Sequence, residues 1–351
     1  MINTDALKKE WINEVSKSHK ADAILAEKMI QALYLLEMLQ QSELKFIFKG
    51  GTALILLLPV PKRFSIDIDI IVSKKPEKVE SIFDSIIKKS TFLEYAEDKR
   101  DKISNIEKAH YKFYYKPVTN ARAEKEYILL DILFEKSHYA NYTNEIEITS
   151  PFLLTESKPI NVKVPIAEAI LGDKLTAFAP NTTGVPYGRE KEIEIIKQLF
   201  DIGYLFDHVE NVEAIATVFD QFAKTELAYR HLSNLDRNDI LKDILQTAMV
   251  ICTRGKAGKG NFNELNRGIQ NIKNFIFSEK FHLERAMIPG AKAAYLSALL
   301  QTHTTKINRF SNPLEIAEWT IEQPFETRLN KLKKSNPEAF FYWHQAYKLL
   351  K

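Results

Sequence analysis

Two aspartates separated by one residue, Asp67 and Asp69, are the side chains of this sequence best suited to chemistry. They alternate with Ile66, Ile68 and Ile70, and such alternation is typical of a β-strand whose two faces meet different surroundings. The two carboxylates are therefore expected to share one face of the strand while the isoleucines share the other. Hard divalent cations such as Mg²⁺ prefer oxygen ligands, so the pair predicts a metal site.

A glycine pair precedes this strand. Gly50 and Gly51, followed by Thr52, open a short apolar helical run that ends at Pro59 and Pro61. Because glycine has no side chain, backbone N–H groups at the start of a helix can approach a phosphate there. Each feature alone has an ordinary explanation, since glycine pairs are common in turns and alternating acids are common on solvated strands. Their occurrence together favours a combined phosphate and metal site.

The arrangement Gly-Gly-Thr followed by Arg-x-Ser-x-Asp-x-Asp resembles the signature of the DNA polymerase β-type nucleotidyltransferases. The residues here, Lys49-Gly-Gly-Thr-Ala-Leu and then Arg63-Phe-Ser-Ile-Asp-Ile-Asp69, are similar to the AbiEii/AbiGii toxin family within that superfamily. The resemblance implies that Asp67 and Asp69 bind Mg²⁺, or alternatively Mn²⁺, and that the substrate is an NTP. It also assigns to nucleotide binding the residues Lys49, Gly50, Gly51, Thr52, Arg63 and Ser65.

A single carboxylate, Asp131, interrupts the apolar stretch from Tyr127 to Phe134. Burying a carboxylate without a partner is costly, so this side chain is expected to have one. A structural salt bridge would supply it, and a third metal-binding acid is the alternative. Polymerase β-type enzymes carry their third acid on a neighbouring strand, so the resemblance favours Asp131 as a metal ligand or as the general base for the attacking hydroxyl.

Lys174 lies in a helix predicted over residues 166–178. An isolated lysine on a helix is ordinarily a surface residue. However, the segment from Glu168 to Leu175 is similar to a second region of the AbiEii-like toxins. That resemblance implies that Lys174 binds the triphosphate of the nucleotide, a role that suits a compact positive charge.

Lys197 and Asp201 lie four residues apart on the next predicted helix and would ordinarily form a surface ion pair. The resemblance instead assigns Asp201 to the active site and Lys197 to nucleotide binding, although Gln198 stands where the family usually has an acid. Between the two helices, residues 179–189 are rich in Pro, Gly and Thr, which indicates a loop. This loop could serve as a mobile flap or as a connector.

The composition is that of a chain of 351 residues with 45% hydrophobic residues and a formal net charge of +3. This length is enough for two domains, and the nearly balanced charge restricts any nucleic-acid contact to a local basic patch. The one cysteine, Cys252, excludes an internal disulfide and predicts a small buried side chain. The first residues lack the apolar core of a signal peptide and no apolar run could span a membrane, so a cytoplasmic location without membrane contact is expected.

Apolar periodicity predicts the elements that position these side chains. It indicates an α+β chain, with an α/β domain over residues 1–165 followed by an all-helical domain over residues 166–351. The resemblance implies that the first domain is nucleotidyltransferase-like with a mixed sheet and that the helical domain completes the active-site cleft. Residues 94–105 are predicted as a loop or an edge strand. In the first domain the predicted helices cover 4–18, 21–40, 52–58 and 76–89, and the predicted strands cover 46–48, the Asp67–Asp69 segment, 110–117, 127–134 and 158–165.

The resemblance implies in-line attack by a hydroxyl on the α-phosphate of an NTP, with release of pyrophosphate. It further implies the toxin of a toxin–antitoxin or phage-defence (abortive infection) pair, with a cognate antitoxin as partner and tRNA as a candidate acceptor. Two alternatives remain open: the same chemistry on a small-molecule or protein hydroxyl, and a non-catalytic nucleotide-binding regulator. The pair Asp67 and Asp69 argues against the regulator, because a protein that only binds nucleotide does not need both metal ligands.

Overall fold

The chain divides into two compact units in the computed structural model. The first unit comprises Met1–Ile166 together with Asn274–Lys280, and the second comprises Ala167–Lys273 together with Phe281–Lys351. The structure describes residues 1–99, 107–139, 141–156, 158 and 160–351.

A mixed β-sheet forms the centre of the first unit. Its strands in chain order are β1 (Ile47–Lys49), β2 (Ile68–Ile71), β3 (Glu94–Glu97), β4 (Lys108–Tyr115) and β5 (Glu126–Leu133). Within the described residues the five strands lie in the order β1-β2-β5-β4-β3, with β2 and β5 parallel and the other neighbours antiparallel. A separate antiparallel pair consists of β6 (Thr143–Glu147) and β7 (Asn161–Pro165).

One face of the sheet is apolar and lies in the core of the first unit. Ile70, Phe113 and Leu130 are almost completely buried, as the alternation of apolar residues along these strands predicts. Phe83, on a helix, packs edge-on against Phe113 with ring centroids 5.2 Å apart. The helices of this unit are α1 (Lys9–His19), α2 (Ala23–Gln40), α3 (Gly50–Leu57) and α4 (Val79–Lys89).

The predicted α+β class, with a mixed sheet followed by helices, is confirmed, and the differences are local. The first predicted helix is divided, because a 3₁₀ turn over Thr4–Leu7 precedes α1. Strand β2 begins at Ile68, so Asp67 immediately precedes it. The segment predicted as a loop or edge contains strand β3 at the edge of the sheet, while residues 100–105 lie outside the described residues. Strand β6 was not predicted.

The segment Asn274–Lys280 differs from the predicted division, which placed it in the helical domain. It belongs to the first unit, where the N–H of Phe64 donates to the carbonyl of Phe275 at 2.7 Å. Phe277 adds an aromatic contact, with its ring centroid 4.8 Å from that of Phe64. The segment therefore fixes the backbone directly after Arg63, one of the predicted nucleotide-binding residues.

The second unit is helical, as predicted. Glycine allows two of its helices to pack closely: a Cβ added at Gly172 would lie 2.7 Å from the carbonyl oxygen of Ile215. Cys252 is buried, also as predicted. None of the helices in the described part of the chain is long and apolar enough to cross a membrane. The helices are α5 (Ala167–Ala177), α6 (Glu192–Phe206), α7 (Val212–Tyr229), α8 (Arg237–Cys252), α9 (Phe262–Asn271), α10 (Leu283–Gln301), α11 (Leu332–Ser335) and α12 (Pro337–Leu350).

The loop over residues 179–189 is anchored by a buried carboxylate. Asp243 accepts hydrogen bonds from the N–H of Asn181 at 2.8 Å and from the hydroxyl of Thr182 at 2.9 Å. Burial raises the pKa of the Asp243 carboxyl, although these donors oppose that shift. Near the far end of the loop, the N–H of Gly188 donates to Glu264 at 2.8 Å. Anchoring at two points favours the connector over the mobile flap.

Candidate active site

Four polar residues lie side by side across the polar face of the sheet. In the strand registers, Lys49 of β1 is paired with Asp69 of β2, and Asp69 is paired with Asp131 of β5. Asp131 is paired in turn with His110 of β4. Residues paired in this way project from the same face of a sheet. Two carboxylates are thus brought together between a lysine and a histidine, a row we call the polar row.

The polar row exists because of alternation in its strands. Asp69 lies between Ile68 and Ile70, and Asp131 lies between Leu130 and Ile132; all four apolar neighbours are almost completely buried. Burial of the neighbours fixes which face each strand turns to the core, and so fixes the acids on the opposite face. The carboxylate pair therefore follows from the apolar residues around it.

Gly50 lies directly against the carboxylate of Asp69. Its φ of +79° is in the left-handed region, which glycine adopts without strain. A Cβ at this position would overlap Oδ2 of Asp69 and lie 2.9 Å from its Cγ. The glycine is therefore required both by the backbone conformation and by the space that Asp69 occupies, and the start of α3 comes within contact distance of the polar row.

Gly51 is enclosed by two of the other predicted nucleotide-binding residues. A Cβ on Gly51 would lie 2.7 Å from both Nη2 of Arg63 and Oγ of Ser65. Arg63 is buried, and its Nη1 donates to the carbonyl of Phe64 at 2.8 Å. The two halves of the sequence signature thus touch each other in the fold, with the guanidinium packed on the glycine turn.

Thr52 is completely buried, and its hydroxyl forms hydrogen bonds within the protein. Its Oγ1 donates to the carbonyl of Asp67 at 2.6 Å and lies 2.9 Å from Oγ of Ser65. These bonds fix the backbone at Asp67, just before β2. Any contact of Thr52 with a nucleotide would therefore come from its main-chain N–H, while its side chain positions the acidic segment.

The acidic side chains suit Mg²⁺ as part of a shared coordination sphere. Within the ranges that the structure describes, no group of three or more His, Cys, Asp or Glu side chains forms a complete metal cluster. Mg²⁺ usually takes one or two carboxylates and fills its remaining positions with water and substrate phosphates. Asp69 and Asp131, adjacent on one face, meet that requirement, and Asp67 lies two residues before Asp69, immediately before the start of β2.

Lys174 is buried in the second unit, contrary to the ordinary expectation for a helical lysine. Its Nζ lies 2.7 Å from Oδ2 of Asp201 on α6 and donates to Oε1 of Gln198 at 3.0 Å. Only 7% of the Lys174 side chain and 3% of the Asp201 side chain are exposed, so the ion pair is largely shielded from water. The structure brings together the two residues that the resemblance assigns to the site, and Gln198 also contacts Lys174.

Lys197 has a different environment from its neighbours on α6. It forms an ion pair with Glu194 at 2.9 Å, one turn earlier on the helix, and it is half-buried. On α6, Lys197 is thus paired with Glu194, and Asp201 is paired with Lys174. The assignment of Lys197 to nucleotide binding stays a prediction.

His110 is the member of the polar row that sequence reasoning missed. Its Nδ1 lies 2.7 Å from Oδ1 of Asp131, so it is the partner that the Asp131 carboxylate was expected to need. A signal was present, because His110 alternates with the buried aromatic residues Tyr111 and Phe113 and so belongs to the polar face. Asp131 lies 21 residues further along the chain. The register that pairs the two residues could not be predicted from either strand alone.

Comparison with solved structures gives distant likenesses. The structure of JHP933 from Helicobacter pylori is 17% identical, covers 85% of this chain and 96% of its own, and has a TM-score of 0.48. The nucleotidyltransferase toxin MenT4 from Mycobacterium tuberculosis is 9% identical, covers 95% of this chain and 98% of its own, and has a TM-score of 0.42. At these values the likenesses carry no functional argument. No curated protein matches the chain.

A family model provides the stronger comparison. The model described as the nucleotidyl transferase AbiEii toxin of type IV toxin–antitoxin systems matches residues 31–268. This match extends over more than half of the chain and includes both the glycine turn with the polar row and the buried pair Lys174 and Asp201. The chain therefore belongs to the AbiEii toxin family and is a nucleotidyltransferase.

Proposed function

We propose that this protein transfers a nucleoside monophosphate from an NTP to an acceptor hydroxyl, with Mg²⁺ as the required ion. The observation that carries the proposal is the contact of the glycine turn with the carboxylate pair: Gly50 lies against Asp69, which is in register with Asp131. A phosphate-binding turn and a pair of metal-binding acids at contact distance are what transfer at an α-phosphate requires.

The triphosphate would bind at the start of α3. The first N–H groups of a helix have no partner within the helix, and here they belong to Gly50, Gly51 and Thr52. The positive end of the helix dipole adds to the attraction for phosphate. Lys49 precedes the helix on the polar face and would contribute a further positive charge, while Arg63 and Ser65 hold Gly51 in place.

Asp67, Asp69 and Asp131 would hold the Mg²⁺, with Mn²⁺ as an alternative. When bound, the ion supplies positive charge that stabilises the pentavalent phosphorus and the leaving pyrophosphate. Asp131 has a second candidate role, as the base that accepts the proton of the attacking hydroxyl. Its position in the middle of the polar row is compatible with both roles.

The acceptor and the biological role are proposed from the family. We infer that the acceptor is an RNA hydroxyl, with tRNA as the first candidate, and that the protein is a toxin controlled by a cognate antitoxin in stress response or phage defence. The chain is only slightly basic, at +3, so RNA binding would depend on a local cluster of cations. Lys174, Lys197 and Asp201 lie in the second unit, and their part in nucleotide binding is proposed from the resemblance.

A labelling experiment tests the proposed function. We expect purified protein, incubated with Mg²⁺ and total RNA, to transfer label from one or more α-³²P-NTPs but not from the γ-³²P forms. Label in the tRNA fraction supports the RNA acceptor, whereas label in the protein or in a small-molecule fraction reassigns the acceptor. Absence of transfer from all four NTPs, with Mg²⁺ and with Mn²⁺, contradicts the enzymatic proposal and favours a nucleotide-binding regulator.

Gly50→Ala is expected to reduce nucleotidyl transfer by about 10–100-fold, the range observed when the support of a metal-binding residue is disturbed. The added Cβ must displace the Asp69 carboxylate, and the left-handed backbone adds roughly 1–2 kcal/mol of strain. Activity is measured by the labelling assay and stability by thermal unfolding.

Gly188→Ala is the matched control for this substitution. Gly188 also has a left-handed φ, +75°, but a Cβ there would have no atom within 4 Å. The control should therefore show the loss of stability that comes from the backbone strain, without the loss of activity. Equal activity of the Gly50 and Gly188 variants would show that the contact between the glycine turn and Asp69 is not needed for transfer.

A further inference from the structure

The hydrogen bond between His110 and Asp131 joins two strands of the sheet through their side chains. Nδ1 of His110 lies 2.7 Å from Oδ1 of Asp131, and the side chains are 17% and 28% exposed. Both residues also occupy directly paired positions on β4 and β5. Partial burial limits competition by water for the hydrogen bond, which makes the geometry of the carboxylate well defined.

The direction of this bond follows from the chemistry of the two groups. An ionised carboxylate has no proton to give, so Nδ1 of His110 must be the donor and Oδ1 of Asp131 the acceptor. The bond therefore restrains rotation of the carboxylate about its own axis. It occupies one oxygen on the His110 side and sets where the second oxygen of Asp131 points.

From this geometry we propose that His110 is a positioning residue that holds the Asp131 carboxylate in the orientation needed to bind the divalent cation. This inference rests on the proposed function, because it takes Asp131 as a metal ligand. Histidine and carboxylate partners behind a ligand are a general device for fixing its orientation and raising its affinity. His110 would act through Asp131, without itself contacting the nucleotide.

A purely structural role is the competing explanation, and the sheet argues against it. Strands β4 and β5 are paired along eight consecutive positions, from Lys108 opposite Leu133 to Tyr115 opposite Glu126. Buried aromatic residues Tyr111, Phe113 and Tyr115 secure the opposite face of β4. The strands therefore do not depend on the bond between His110 and Asp131 for their register. This favours a role of the bond in orienting the Asp131 carboxylate.

Two substitutions at His110 separate the hydrogen bond from the volume of the ring. Asparagine can place its amide N–H near the position of the histidine Nδ1, whereas leucine has a similar size and no donor. We expect His110→Leu to weaken Mn²⁺ binding by about 10–100-fold and to raise the Mg²⁺ concentration for half-maximal transfer, while His110→Asn stays within about threefold of wild type. Mn²⁺ binding to the full chain is measured by electron paramagnetic resonance without substrate.

His282→Leu is the control, because it removes a histidine that makes the same kind of bond elsewhere. Nδ1 of His282 lies 2.9 Å from Oε2 of Glu284 in the second unit. This variant should bind Mn²⁺ like wild type. Thermal unfolding of all three variants shows whether they are folded, and the asparagine variant preserves the test if the leucine variant is unstable.

The outcomes distinguish this inference from the proposed function. Wild-type Mn²⁺ affinity in a folded His110→Leu protein, together with weak binding by Asp131→Asn, overturns the inference and leaves the proposed function standing. An equal loss of Mn²⁺ affinity in the His110→Asn and His110→Leu variants also overturns the inference, because the hydrogen-bond donor retained by asparagine would then make no difference. Failure of wild type itself to bind Mn²⁺ overturns this inference, and the labelling experiment decides separately whether the proposed function stands.

Discussion

Replacing Asp69 by asparagine is expected to abolish nucleotidyl transfer while leaving the protein folded. Asp69 lies at the centre of the candidate site: it is in register with Lys49 and Asp131, and Gly50 is packed against its carboxylate. Asparagine keeps the shape and removes the charge that a hard cation requires. Loss of an outer-shell partner alone costs about 10–100-fold, so loss of a ligand should exceed ~100-fold in the labelling assay.

The control for this prediction is Asp84→Asn. Asp84 is an exposed aspartate on α4 whose carboxylate accepts a hydrogen bond from the hydroxyl of Tyr95 at 3.1 Å. It should keep normal activity, whereas Asp67→Asn should behave like the Asp69 variant. Turnover near the wild-type level in a folded Asp69→Asn protein would remove this carboxylate from the metal site.

The sequence predicted those parts of the fold that depend on local pattern. Alternation of apolar and polar residues located β2, β4 and β5, and it correctly separated the acidic side of these strands from their isoleucines and leucines. The glycine pair at Gly50 and Gly51 correctly located the start of a short helix. These features are encoded within a few residues, so they could be found without knowing which strands are neighbours.

The parts that were missed depend on contacts between distant segments. The bond from His110 to Asp131 requires the register of β4 against β5, and the packing of Phe277 on Phe64 joins residues more than two hundred positions apart. Strand β3 could be predicted only as a loop or an edge strand, because its residues are mostly exposed and its apolar pattern is weak. The burial of Lys174 could not be predicted from its own helix either, because its partners Asp201 and Gln198 lie on α6.

Replacing Lys174 by methionine is expected to cause a large loss of both stability and nucleotide affinity. Lys174 and Asp201 form an ion pair that is almost completely buried, and the substitution removes the cation of this pair while Asp201 stays buried. Such a change typically lowers the free energy of unfolding by about 3–5 kcal/mol. The same substitution would remove the positive charge proposed to bind the triphosphate, so calorimetry should also show weaker binding of the NTP identified by labelling.

Lys292→Met is a control for the stability effect alone. Lys292 is also buried, and its Nζ lies 2.7 Å from Asp207 and 3.3 Å from Glu338 in the same unit. This substitution should also reduce stability, although by less, because the side chains of Asp207 and Glu338 are 47% and 32% exposed and keep contact with water. It should not change NTP affinity at a temperature where both proteins are folded. Equal loss of NTP affinity in the Lys292 and Lys174 variants would mean that instability explains both.

The double variant Lys174→Met/Asp201→Leu separates the two roles of the buried pair. Replacing both charges by apolar side chains of similar volume is often neutral or stabilising. The free energy of unfolding of the double variant should therefore be close to the wild-type value. We expect nucleotide affinity to remain low in this stable protein, because the charge proposed to bind the triphosphate is still missing. If affinity returns together with stability, Lys174 serves only the packing of α5 against α6 and does not belong to the nucleotide site.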